Sequence, residues 1–153
     1  MNQEPLKLPD LTLPSTLGDF PLRAPRQEKM LLYFYPKDNT AGCTKEATQF
    51  AEAFSAFRRK KIMIVGVSRD SVASHQRFQA KYELPFVLIA DTEEKLCHHF
   101  DVIKDKTMYG KKVRGIERST FLIGTDHRVI HAWRKVKADG HAQEVLAWVK
   151  TNI

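Results

Sequence analysis

The chain alternates between short, fully apolar runs and longer stretches in which apolar residues return every three or four positions. Met30-Leu-Leu-Tyr-Phe-Tyr35, Ile62-Met-Ile-Val-Gly-Val67 and Phe86-Val-Leu-Ile-Ala90 are runs of the first kind. Their length and flanks predict strands buried on both faces, and Pro36 stops the first. Between the first two, Ala47, Phe50, Ala51, Phe54 and Phe57 form one stripe, which predicts a helix from Cys43 to about Arg59. Thr40 or Asn39 is placed to cap it, and Arg58, Arg59, Lys60 and Lys61 suit its negative end. Asp70 or Ser71 starts a second helix to about Tyr82, with Val72, Phe78 and Tyr82 near one face. Asp91 or Thr92 starts a short one through Phe100, with Leu96, Cys97 and Phe100 inward. Ser119–Ile123 and Val129–Trp133 read as a hairpin around residues 124–128. A last amphipathic helix covers residues 141–151, on Val145, Leu146, Trp148 and Val149. Residues 1–29 carry Pro5, Pro9, Pro14, Pro21 and Pro25, so strands there are short edge pieces or hairpin arms. Residues 101–117 read as a basic loop.

The resulting order, β-α-β-α-β-α-β-β-α, implies parallel strands with crossover helices and an antiparallel partner at the end. It is the order of a thioredoxin-like α/β fold, a central mixed sheet flanked by helices, with an N-terminal addition and inserted elements. The 153 residues, 42% hydrophobic and 28% charged, predict one domain over 1–153 with a real core. No apolar run is long enough to span a bilayer, and the polar, proline-punctuated start predicts no export signal. Two cysteines are too few for a disulfide scaffold, so free thiols in a reducing cytoplasm are expected.

The formal charge of +7 is local. Residues 104–137 hold ten Lys/Arg against three Asp/Glu, and the rest of the chain balances. Nothing in that segment has zinc-finger or helix-turn-helix spacing, so a solvated basic face is expected rather than nucleic-acid or anion binding. The histidines are scattered, and Cys97-His98-His99 point in different directions on a helix, so neither a metal site nor a cofactor is predicted.

Cys43 is the sharpest chemical feature. It follows a strand and a polar loop and opens a helix, where unpaired backbone N–H groups and the positive helix end stabilise a thiolate. Gly42 lets a small ligand approach the backbone, Thr40 lies one tight turn earlier, and Pro36 is placed to exclude water. The stretch Tyr-Phe-Tyr-Pro-Lys-Asp-Asn-Thr-Ala-Gly-Cys-Thr-Lys-Glu, residues 33–46, resembles the active-site segment of peroxiredoxins. It is most similar to the bacterioferritin-comigratory-protein subgroup, also called PrxQ. Gly115–Ile123 resembles the segment carrying that family's active-site arginine. Trp133–Lys137 with Gly140-His141 resembles the subgroup's C-terminal region.

The resemblance implies a thiol-dependent peroxidase acting on hydrogen peroxide and organic hydroperoxides. Cys43 would be the peroxidatic cysteine and pass through a sulfenic acid. Thr40 would orient the peroxide, Pro36 would shield the sulfur, Arg118 would hold positive charge beside it, and the N–H groups of Gly42 and Cys43 would complete the anionic site. Glu46, one turn after Cys43, either orients Arg118 or serves only the helix dipole. Two departures matter. Ala41 replaces the usual proline. Thr48 stands where many members carry a resolving cysteine. Cys97, the only other thiol, is either a packed residue or an atypical resolving cysteine. If it is packed, an external thiol closes the cycle, thioredoxin or glutaredoxin with glutathione, in a monomer or weak dimer.

Overall fold

The computed structural model describes residues 7–153, with the Met108 side chain left aside; Pro5 lies outside the described residues. Strand β3 (Lys29–Phe34) is the middle of the molecule. It pairs in parallel with β4 (Ile62–Ser68), and β4 pairs in parallel with β5 (Val87–Ala90). On its other side β3 meets β8 (Ser119–Ile123) antiparallel, and β9 (Val129–Trp133) closes that edge. The N-terminal strands β1 (Thr12–Ser15) and β2 (Gly18–Pro21) form the hairpin expected of a proline-rich segment, and β1 adds antiparallel to β5. The seven-stranded order is β2-β1-β5-β4-β3-β8-β9.

Both parallel connections step the same way across the sheet. A common right hand therefore puts their helices on one face. These are α1 (Ala41–Glu52) with α2 (Phe54–Arg59), and α3 (Val72–Tyr82). The last helix, α5 (His141–Asn152), joins them. Side chains alternate along β3, so Leu31 and Tyr33 enter the core beneath α1, α2, α3 and α5. Met30, Leu32 and Phe34 enter a second core on the opposite face, closed by α4 (Lys95–His99) and the N-terminal segment. Gly66 on β4 is required by this packing. A Cβ there would lie 2.8 Å from Leu88 Cδ2 and 3.0 Å from the Tyr33 ring.

Three sequence expectations change. The helix expected from Cys43 to Arg59 starts at Ala41 and is interrupted at Ala53, which keeps both Phe50 and Phe57 in the core, their rings 6.2 Å apart. Strand β5 begins at Val87 rather than Phe86. Residues 101–117 are not a loop: β6 (Ile103–Met108) and β7 (Lys111–Ile116) form an antiparallel ribbon of their own. It turns through Tyr109-Gly110, both at positive φ, as a two-residue hairpin requires. The β7 strand is exposed along most of its length, so no apolar alternation betrays it. Ser71 caps α3 as expected, whereas α4 starts only at Lys95 with Glu94 in the cap position, and Asp91 serves it from three residues further back. Ser71 Oγ accepts from the Ser74 N–H, and the Asp91 carboxylate accepts from the N–H groups of Leu96 and Cys97.

Candidate active site

The site forms where β3 runs out. Tyr35 still bonds to the sheet through its N–H to the Val67 carbonyl, and then Pro36 turns the chain away. Asn39 takes a positive φ of 61°, and Thr40 is the last residue before α1. Thr40 occupies the cap position with extended backbone, yet its side chain makes no cap bond. Its hydroxyl donates instead to the Lys37 carbonyl at 2.9 Å. Cys43 therefore sits in the first turn of α1, among N–H groups that helix geometry leaves without intrahelical partners.

The Cys43 thiol is buried, with 2% of the residue exposed. Arg118, immediately before β8, reaches it from the neighbouring strand, with Nη2 3.5 Å from Sγ. The other arm of the guanidinium donates to Glu46 Oε1 at 2.7 Å. The Glu46 side chain is fully buried and points at Arg118. Its second oxygen, Oε2, is buried without a partner. Burial pushes the Glu46 carboxyl up to about 7, against the pull of Arg118. Arg118 itself is held above its ordinary value. Its own burial works the other way, and the charges of Glu46 and Cys43 outweigh it. Gly42 has a sharper reason than ligand access, since a Cβ there would come 3.3 Å from Arg118 Nη2. Pro36 and Arg118 line a cleft of about 350 Å³, with Lys104, Lys106, Lys135 and Val136 around it.

The structure thus brings Cys43, Gly42, Glu46, Arg118, Thr40 and Pro36 to one end of β3. It does not bring Cys97. That thiol is fully buried against the Phe34 face, whereas Cys43 belongs to the Tyr33 face. Burial first, and then Asp91, push the Cys97 thiol well above its usual range. Much of the basic segment is also spoken for. Arg114 pairs with Glu94, Lys104 with Asp101, and Lys106 with the Ile116 carbonyl. Tyr109 is exposed at the ribbon tip, and Trp133 is buried edge-on to Trp148.

Sequence reading missed the groups behind the loop. Tyr35, Asp38, Ser74 and His75 converge there, and the only signal in the sequence is that His75 shares the inward face of α3 with Phe78.

Comparison with known proteins shows the family. Residues 6–132 match the AhpC/TSA family. Peroxiredoxin Bcp of Xanthomonas campestris is 48% identical over 152 residues, covering 93% of this chain and 95% of that protein. Peroxiredoxin Bcp of Bacillus subtilis is 46% identical over 145 residues, covering 94% and 92%. Among solved structures, Xanthomonas campestris Peroxiredoxin Q superposes with a TM-score of 0.88 at 49% identity, covering 96% of each chain. A structure from work on the alkyl peroxide reduction activity of the Xanthomonas campestris bacterioferritin comigratory protein gives a TM-score of 0.91 at 47% identity, covering 100% and 99%. A mixed sheet with helices on both faces, a cysteine opening α1 and relatives at this identity have one reading: the chain belongs to the AhpC/TSA family, as a thioredoxin-fold peroxiredoxin of the Bcp/PrxQ kind.

Proposed function

We propose that the protein reduces hydrogen peroxide and organic hydroperoxides by a one-cysteine cycle on Cys43. The observation that carries this is the contact of Arg118 with both Cys43 and Glu46, together with the absence of a second thiol on the Tyr33 face of the sheet among the described residues. The Cys43 thiolate attacks the terminal peroxide oxygen. The S–O bond forms as the O–O bond breaks, the sulfur is oxidised to sulfenic acid, and the departing oxyanion takes a proton to leave as water or an alcohol. Arg118 holds fixed positive charge where that oxyanion develops, and a preorganised donor of this kind is worth about 10²–10³ in rate. Thr40 and the N–H groups of Gly42 and Cys43 orient the peroxide, and Pro36 keeps water from the sulfur. These roles follow from position in the loop.

An external thiol then attacks the sulfenic sulfur, releasing water and leaving a mixed disulfide. A second thiol reduces that to the Cys43 thiol and an external disulfide. Support for the external route is twofold. Thr48, five residues after Cys43 on the same helix, stands where many members of the resembled subgroup carry a resolving cysteine. Cys97 faces the opposite core, and two thiols separated by a sheet do not meet the ~7 Å Cα limit of a disulfide without rebuilding the fold. Thioredoxin or glutaredoxin with glutathione fits as reductant, in the cytoplasm. No helix among the described residues is long and apolar enough to cross a membrane. The test is peroxide consumption under thiol cycling by the wild type and Cys43→Ser. The serine variant should lose all enzymatic turnover. Residual turnover near the wild-type rate would remove Cys43 from the reaction.

A further inference from the structure

We infer that His75 is a positioning residue for the peroxide-binding loop, acting through Asp38. The inference rests on the Cys43 reading above and extends it to a residue on a different helix. Asp38 lies midway between Pro36 and Thr40, the two loop residues assigned to the peroxide. Its side chain is buried and accepts from three groups: Tyr35 Oη at 2.6 Å, Ser74 Oγ at 2.8 Å and His75 Nδ1 at 2.7 Å. Its backbone N–H donates to Asp70 Oδ2 at 2.9 Å, and Ser68 Oγ donates to the same oxygen at 2.6 Å. Next in the loop, Asn39 Oδ1 accepts from Tyr82 Oη and Lys81 Nζ. Helix α3 thus grips the loop at two consecutive residues.

His75 links this grip to the sheet. Its ring is fully buried, and Nε2 lies 2.9 Å from the Ile89 carbonyl on β5 while Nδ1 faces Asp38. The ring therefore spans the gap between a loop side chain and a strand backbone, with one nitrogen on each. The result is a strap from α3 to the loop, in which the Asp38 bond holds the loop and the Ile89 bond fixes only the far edge of the ring. Asp38, Asp70 and His75 present ligand-type atoms within 4.8 Å of one another, as a cation site would. Each of those groups is already engaged by a donor or acceptor of the protein, and this favours the strap.

The strap matters for rate because near-attack geometry is steep in distance. A displacement of about 1 Å costs up to ~100-fold. Two near-isosteric variants separate positioning from stability. In His75→Asn, the amide nitrogen falls near the Nδ1 position and keeps the bond to Asp38 while the Ile89 anchor is lost. In His75→Gln, the longer amide reaches the Ile89 carbonyl and Asp38 is released. Single-turnover oxidation of Cys43 by hydrogen peroxide, followed well below each variant's melting temperature, should be within threefold of wild type for Asn and about 10- to 100-fold slower for Gln. Alkylation of Cys43 by iodoacetamide should be faster in Gln than in Asn, since a released loop exposes the sulfur. Equal rates in the two variants, or a Gln variant within threefold of wild type, would overturn the strap, as would an Asn variant as slow as Gln. A wild type whose Cys43 resists peroxide would refute the peroxidase reading instead, and the alkylation comparison would still decide the strap.

Discussion

Replacing Glu46 by glutamine should change how stability depends on pH. The carboxyl is fully buried, one oxygen is held by Arg118, and the other has no partner. Burial raises it from the ordinary 4.5 to about 7. The folded protein therefore keeps the Glu46 proton to near neutrality, while the unfolded chain releases it near 4.5. Between those values the native state binds more protons, so stability falls as pH rises. The contribution is complete below about pH 4.5 and is lost as pH climbs through about 7. At 1.36 kcal/mol per pKa unit, the difference amounts to roughly 3 kcal/mol. Glutamine keeps the shape, accepts from Arg118 through its carbonyl, and never ionises. Urea unfolding of both proteins, from about pH 4.5 to about pH 8, should show the glutamine variant gaining roughly 3 kcal/mol on the wild type across that range. All other titrating groups are common to the pair and cancel. Stability curves that stay parallel within about 0.5 kcal/mol would refute the reasoning, since they would mean that Glu46 is ionised throughout.

Other outcomes follow from the same geometry. Arg118→Lys keeps a charge but loses the two-armed contact with Glu46 and Cys43, and should slow Cys43 oxidation about 10²-fold in stopped-flow measurements. Cys97→Ala should keep peroxidase turnover within about twofold and lose about 1 kcal/mol in thermal unfolding, because it removes one small buried group; abolished turnover would restore a resolving role. Gly66→Ala drives a methyl against Leu88 and the Tyr33 ring and should destabilise by about 1–3 kcal/mol, read from the urea midpoint.

The parts of this fold that were legible in sequence are those whose local pattern and burial agree. Strand β3 is apolar because both faces are covered, and α1 carries its stripe because only one face is. The β6–β7 ribbon was illegible because it packs on little and its charged faces carry no alternation. Its Tyr-Gly turn, at positive φ twice, was the available cue. At the site, Cys43, Thr40 and Pro36 are close in sequence and could be read together, while Arg118 was named only through the resemblance of residues 115–123; the structure places Arg118 beside Cys43. Asp38 and His75 are 37 residues apart and meet only because the two crossovers put α1 and α3 on the same face. No spacing rule reaches that far. Cys97 had the same difficulty in reverse: its helix was legible, but which side of the sheet it covers depends on strand order.

The central claim is that Cys43 works alone. The most direct measurement is the intact mass of the fully reduced wild type and of Cys97→Ala after one equivalent of hydrogen peroxide, without added thiol. The account predicts that both proteins gain one oxygen atom, as a sulfenic acid on Cys43, and that both return to the starting mass when an external thiol is added. Loss of two hydrogens in the wild type, absent in Cys97→Ala, would contradict it by joining two thiols that the fold holds on opposite faces of its sheet.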